Sequence, residues 1–404
     1  MASSPTSAPN PTGSKRPLAP SPNASQNGHK HRIVADIDRF WQRVTEGLQL
    51  SELWLQFKRD AQTGFQFYRR DYEAGAPAGQ RKSFFQRVQE LMWAILSKLT
   101  PARRVLLLIG IVFLLFPSGG FQFQKGATDV QITSINFQFW GGLVLFVLLM
   151  LEIADRVVMK RDLEIARDIQ SWLLPATPPA VPGLAIAFAT RPANTVAGDY
   201  YDVFARKATN SAEEGFLLAV ADVAGKSIPA ALLMATFQAS LKTLSAIPCS
   251  LIELVMGMNR YACCNSQGGL RFTTAFIAEF NPATRVLQYI NAGHNTPILR
   301  RNSGAIERLS VGGLPLGIQQ DAAYAAAEVT LASGDWLVIF TDGLVEAENQ
   351  VGEPYGEDRL LGVLQSGVTA TPEVMLQRMI AEVNSFVGST PQHDDITCMV
   401  IKAQ

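Results

Sequence analysis

The chain has 404 residues, 48% hydrophobic and 17% charged, too many for one ordinary core, so two or three units are expected. Lys plus Arg and Asp plus Glu total 35 each, leaving no global field to steer the protein toward nucleic acid. The four cysteines (Cys249, Cys263, Cys264, Cys398) show neither CxxC nor zinc spacing and read as reduced, buried thiols, and the N-terminus lacks the apolar core of a secretory signal.

Residues 1–32 are rich in Ser, Pro and Asn, carry Lys15, Arg16, Lys30 and Arg32 without any acid, and read as a disordered basic tail. An amphipathic helical region follows over 33–100, with Phe40, Trp41, Val44, Leu48 and Leu53 at mostly helical spacing and a second such stretch over 81–99. Its helices either lie on a membrane or pack on one another. Residues 101–155 read as a transmembrane hairpin with spans of about 105–123 and 133–153, whose strictly apolar cores of about a dozen residues reach bilayer length only as whole uncharged windows. Arg103 and Arg104 precede the first window, and Arg156, Lys160 and Arg161 follow the second. The positive-inside rule therefore places both ends, and everything C-terminal, on the cytoplasmic side of the cytoplasmic membrane.

Residues 156–175 read as a helical connector. Leu151, Val158, Ile165 and Trp172 form one heptad seam, a weak coiled coil that offers a route to a homodimer and a path for a signal. Pro175, Pro178, Pro179 and Pro182 stop the helix. Short strands are predicted over 184–190, 216–222, 274–280, 286–291 and 336–341, and helices over 228–244 and 372–386. Neither GxGxxG nor GxxxxGK[ST] occurs, which argues against a Walker ATPase or a nucleotide-binding kinase.

Acids recur at predicted strand ends: Asp199 in VAGDYYD, Asp222 in LLAVADVAGKS, Asp342 in WLVIFTDGLVE, and Asp394 with Asp395 in QHDDITCMVI. One such Asp is most simply a turn or cap residue. Several converging carboxylates repel one another, and hard divalent ions with oxygen ligands relieve that repulsion. Two such ions can clamp a phosphate and activate water.

Taken in order, ARDIQSWLLP (166–175), VAGDYYDVF (196–204), ADVAGKSIPAALLMA (221–235), NAGHNTPIL (291–299), GLPLGI (313–318), SGDWLVIFTDGLVEAEN (333–349) and DDITCMVI (394–401) resemble the PPM family of metal-dependent serine/threonine phosphatases, in its bacterial SpoIIE/RsbU-like branch. The resemblance covers about residue 164 to the C-terminus and implies an α/β fold, a four-layer α-β-β-α sandwich of two antiparallel sheets over 176–404. It implies two Mn2+ or Mg2+ ions, with Asp222 bridging both, the Val223 carbonyl adding an oxygen, Asp342 and Asp394 on one ion and Asp199 on the other. Asp395 ranks below Asp394, because distant relatives carry Asn there. The implied catalytic set is thus Asp199, Asp222, Asp342 and Asp394. The implied substrate is a phosphoserine or phosphothreonine protein, in this branch often a STAS-type anti-sigma-factor antagonist. Ala197, Ala224 and Ser227 depart from the commoner Gly, Ser and Gly of relatives. The phosphate-holding Arg of eukaryotic members has no match at the right spacing, Arg191 being the nearest, and phosphate binding rests on the ions.

His294, in a Gly/Asn turn with Asn291, reads as a local hydrogen-bonding residue rather than a general acid. Two rival readings stand beside the phosphatase. One is a membrane receptor whose phosphatase-like domain only binds a partner. The other is a different two-metal enzyme, such as a nuclease, disfavoured by the lack of a basic, aromatic-rich groove.

Overall fold

The computed structural model describes residue 96 and residues 99–116, 136–207, 214–266, 271–367 and 370–404. The tail over 1–32, almost all of the amphipathic region over 33–100, and residues 117–135 of the expected hairpin lie outside the described residues. The chain divides into two units, Met1–Leu148 and Leu149–Gln404.

In the first unit, α1 (Pro101–Leu115) begins with Pro in its first turn, where the missing N–H costs no helical bond. The next helix, α2 (Phe137–Leu173), starts in this unit. A Cβ added at Gly141 would stand 2.9 Å from the Gly110 carbonyl oxygen, so two glycines let the α1 and α2 backbones meet. Phe137 also packs its ring against Phe113 and Phe116. Among the described residues, no helix is long and apolar enough to cross a membrane. The reason is length: α1 has 15 residues, and α2 meets its first charge at Glu152, whereas a crossing needs ~20 apolar residues.

In the second unit, α2 continues without a break through the expected connector and ends before Pro175. Among the described residues eleven strands follow: β1 (Leu184–Arg191), β2 (Tyr200–Lys207), β3 (Glu214–Val223), β4 (Thr273–Asn281), β5 (Val286–Ala292), β6 (Ile298–Arg300), β7 (Ile306–Arg308), β8 (Gly312–Gly313), β9 (Ala327–Thr330), β10 (Trp336–Phe340) and β11 (Ile396–Ala403). The helices are α3 (Ser227–Ser245), α4 (Leu251–Asn265), the one-turn α5 (Asp342–Val345), α6 (Glu357–Ser366) and α7 (Pro372–Val387). The five-stranded sheet runs β1-β11-β10-β6-β7, and the second runs β2-β3-β4-β5-β8, with β9 also on β5.

Strand alternation builds the layers. Leu218 and Val220 of β3 meet Leu337 and Ile339 of β10 and Met399 and Ile401 of β11 in the core between the sheets. Leu217, Ala219 and Ala221 face the other way, against Met234 and Leu241 of α3 and Leu254 and Met258 of α4. Val338, Phe340, Cys398 and Val400 likewise pack on Leu360 of α6 and Met375, Met379 and Val383 of α7. Each large apolar side chain so buried contributes about 1.5–3 kcal/mol. The result is the expected α-β-β-α order. It departs from the expected all-antiparallel sheets at one place: β5 and β8 pair in parallel over Asn291–Gly312 and Ala292–Gly313. A Cβ at Gly312 would fall 1.9 Å from the Asn291 carbonyl oxygen, so only glycine permits this contact.

Candidate active site

The register of the sheets carries the acids to one end of the sandwich. Asp222 lies at the end of β3, opposite Thr274 of β4. Asp342 opens α5 directly after β10, and Asp394 and Asp395 lead into β11, which is hydrogen-bonded to β10. Asp199 immediately precedes β2, the neighbour of β3. A Cβ at Gly343 would strike the Asp395 carbonyl oxygen at 2.1 Å, so glycine after Asp342 lets the two acid-bearing turns touch.

The electrostatics show how close these groups are. Burial, then Asp342, Asp394 and Asp395, push the Asp222 carboxyl from 3.8 up to about 7, against a hydrogen bond with Asp199. Burial and then the Asp222 charge raise Asp199 well above the usual carboxylate range, although Thr397 and Thr341 hydroxyls favour its charged form. Asp342 is raised by burial and then by Asp394, and the Gly343 amide and then the Lys226 ammonium pull it back. Asp395 is raised by burial, and the backbone amides of Ala193 and Gly198 oppose the rise. Like charges crowded into a half-buried site produce this pattern.

Each acid has a distinct setting. Asp199 is 1% exposed and accepts a hydrogen bond of 2.9 Å from Thr341 Oγ1, so it sits beneath the group rather than in open solvent. Asp222, Asp342 and Asp394 are half-buried. Asp394 Oδ2 meets Lys226 Nζ at 2.9 Å. Asp395 turns inward: Oδ1 accepts from Ala193 N at 2.7 Å and Oδ2 from Gly198 N at 2.6 Å. Val223, the expected carbonyl ligand, is held close to the loop before Asp199, where a Cβ on Gly198 would meet its oxygen at 3.3 Å.

Among the described residues, no three His, Cys, Asp or Glu side chains stand close enough to share a single ion. Two of the acids are engaged elsewhere, Asp394 by Lys226 and Asp395 by backbone amides. The donor chemistry nevertheless suits hard divalent cations: the group offers carboxylate oxygens, no sulfur, and mutual repulsion that positive charge would relieve.

His294 is not part of this group. It is 6% exposed, its amide donates to Asn291 Oδ1 at 2.7 Å, and its Nδ1 lies 3.1 Å from Thr274 Oγ1. Burial lowers its pKa from 6.5 to about 4, with the Phe340 carbonyl acting weakly in the other direction, and Nε2 has no close partner. The ring is therefore neutral and braces β4 against the turn after β5. Arg191 is also placed elsewhere, its guanidinium bonded to Asn384 of α7.

Three residues escaped the sequence reading. Glu346, four positions after Asp342, has its pKa raised by burial and then by Asp342 and Asp394, so it borders the acids; the one-turn spacing was the available signal. Lys226 could have been noticed as the basic residue four places after Asp222. Gln170 on α2, within ARDIQSWLLP, donates from Nε2 to the Ala197 carbonyl at 2.7 Å and accepts from Ala197 N at 3.0 Å. This buried amide-to-peptide pair fastens the connector two residues from Asp199. Nearby, Lys160, Leu163, Glu164 and Arg167 of α2 line a cleft of about 510 Å³ together with Asn194, Thr195, Val196 and Ser227.

Comparison with known proteins gives a consistent picture. Residues 212–404 match the family model described as Stage II sporulation protein E (SpoIIE). Phosphoserine phosphatase RsbU of Bacillus subtilis (strain 168) is 28% identical over 248 residues, covering 60% of this chain and 70% of its own. Protein IcfG of Synechocystis is 25% identical over 270 residues, covering 60% of this chain but 42% of its own. Among solved structures, the SiaA-PP2C domain of Pseudomonas aeruginosa is similar in fold, with a TM-score of 0.53 at 21% identity, covering 62% of this chain and 99% of that one.

Proposed function

We propose, from a C-terminal domain that is a SpoIIE/PP2C-type serine phosphatase domain similar to RsbU, that this chain is a membrane-anchored, metal-dependent phosphatase acting on a phosphoserine or phosphothreonine protein. The observation that carries the reading is the group of acids at the ends of β3 and β10 and before β2 and β11, in which Asp222 is pushed up to about 7. Homology to PP2C-type phosphoserine phosphatases sets the reaction class.

In this reading Asp222, Asp342, Asp394 and the Val223 carbonyl hold two divalent ions of the Mg2+ or Mn2+ kind, which when bound supply the Lewis acidity that activates water and offsets phosphate charge. Asp199 supports Asp222 from below by their hydrogen bond and is itself oriented by Thr341. Asp395 fixes the Ala193–Gly198 loop by its two amide contacts, which makes it a positioning residue more than a ligand. Glu346 borders Asp342 and Asp394 and would receive or return a proton near the leaving oxygen. The cleft beside α2 gives the flanking part of a phosphoprotein a place to lie.

Membrane anchoring rests on the first unit. Leu108, Ile111, Val112 and Leu115 of α1, and Phe139, Trp140 and Phe146 of α2, are exposed large apolar side chains on helices joined at a glycine crossing. Apart from Arg103 and Arg104 in the first turn of α1, these helix surfaces carry no charge before Glu152, and such apolar exteriors suit a lipid surrounding better than water. Substrates of the anti-sigma-factor-antagonist type and a homodimer through α2 remain part of the proposal by analogy. Release of phosphate from a phosphoserine peptide by the full chain should require Mn2+ or Mg2+ and disappear in Asp222→Asn. Hydrolysis that survives a chelator would refute the assignment. Recovery of the full chain in the aqueous phase of a detergent partition would refute the anchor. Binding of a phosphoprotein with no metal-dependent turnover would favour the receptor reading.

A further inference from the structure

We propose that Lys226 is the residue of this chain that grasps the substrate's phosphate, a role that rests on the phosphatase reading and fills the place left empty by Arg191. Lys226 is the N-cap residue of α3, three residues after β3, which ends in Asp222 and Val223. Its ammonium lies 2.9 Å from Asp394 Oδ2 and donates to the His393 carbonyl at 2.6 Å. The side chain is 56% exposed, so its four-carbon stem can swing over the cleft. Arg191, the nearest sequence match for a phosphate-holding arginine, is committed to Asn384 instead.

A carboxylate group of this density repels a phosphate dianion, and an adjacent ammonium offsets that repulsion at short range. Lys226 holds Asp394 as an internal counter-ion in the structure described here. Lys226 and a divalent ion compete for Asp394, and the doubly charged competitor prevails at an oxygen site. The released ammonium then has the phosphate oxygens as its natural partners, as a point charge with three donors. Lys226 thus serves two states of one site, closing it when empty and binding the substrate when loaded.

The test compares the full-length wild type, Lys226→Gln and Lys226→Arg in detergent. One arm is a Mn2+ titration without substrate. A second is inhibition by inorganic phosphate, and a third is turnover of a phosphoserine peptide. Lys226→Gln is expected to bind Mn2+ as tightly as wild type or several-fold tighter, to raise the inhibition constant for phosphate about tenfold, and to lower kcat/KM about 100-fold, the usual scale for losing one transition-state contact. Lys226→Arg is expected to recover at least about a tenth of the wild-type kcat/KM, because the charge remains. Weaker Mn2+ binding in Lys226→Gln, or unchanged phosphate inhibition and turnover, overturns the proposal and leaves Lys226 a structural counter-ion. If Lys226→Gln fails to fold, the decision falls to Lys226→Arg, and loss of its phosphate inhibition overturns the proposal. An inactive wild type sinks the phosphatase reading itself, whereas an active wild type matched by Lys226→Gln sinks only the role of Lys226.

Discussion

Replacing Asp222 by Asn should make the metal-free protein more stable while abolishing its function. In the folded chain the Asp222 carboxyl is raised from 3.8 to about 7 by burial first and then by Asp342, Asp394 and Asp395. A group raised by folding favours the fold while it is protonated and loses that advantage as pH climbs from its unfolded value to its folded one. At about 1.4 kcal/mol per pH unit the span corresponds to about 4 kcal/mol above pH 7. Asp199 and Asp222 titrate as a pair, so about 2–4 kcal/mol is the expected gain from removing one charge. Asn keeps the shape and can still hydrogen-bond Asp199. For a domain of this size, that gain raises Tm by about 5–10 °C. Thermal unfolding of metal-free wild type and Asp222→Asn, followed by circular dichroism from pH 4 to pH 8, reads it directly. The difference should be near zero at pH 4 and grow to a plateau above pH 7. Mn2+ at about 100 times its dissociation constant should add about 2.7 kcal/mol to wild type and far less to the mutant. A mutant that melts below wild type at pH 8, or gains equally from Mn2+, refutes the reasoning.

Asp395→Asn should reduce stability by about 1–3 kcal/mol, because its amide nitrogen cannot accept from both Ala193 and Gly198, yet Mn2+ stoichiometry should stay unchanged; a lost ion would instead make Asp395 a ligand. Gln170→Leu should strand the Ala197 amide and carbonyl, lower stability by about 1–3 kcal/mol and weaken metal binding through the Asp199 loop, measured by denaturant unfolding and Mn2+ titration. For His294, folding lowers the pKa from 6.5 to about 4, so the unfolded chain binds the extra proton between those values and stability falls as pH drops through that window. His294→Asn should remove about 3 kcal/mol of that pH dependence, tested in a chemical-denaturation series from pH 7.5 to 4.5.

Much of the second unit was legible in the sequence because its strands are apolar, bounded by turn residues and terminated by acids. The strand predicted over 336–341 and the helix over 372–386 match β10 and α7 to within one residue at each end. Asp222 and Asp342 stood out as acids at the ends of buried apolar runs and Asp394 as one just before such a run, and it was their recurrence, not any one of them, that pointed to a site. β2 was missed because Asp202, Arg206 and Lys207 break its apolar alternation, and burying Asp202 requires Tyr200 and Lys242 as partners that no local pattern reveals. The pairing of Lys226 and the amide contacts of Asp395 were not legible for a similar reason. Their partners, Asp394 for one and the amides of Ala193 and Gly198 for the other, lie 168 to 202 positions away and meet only once the two sheets are stacked. The contact between connector and loop through Gln170 depends on α2 continuing unbroken to Leu173, which the weak heptad seam did not establish.

The most direct measurement of the central claim is a count of Mn2+ ions bound per chain, by electron paramagnetic resonance titration of the full-length protein, beside Asp222→Asn and Asp342→Asn. Two ions in wild type, with at least one lost in each variant, is the expected result. A wild type that binds none, or variants that bind as many as wild type, would contradict the proposal that these aspartates gather a pair of cations.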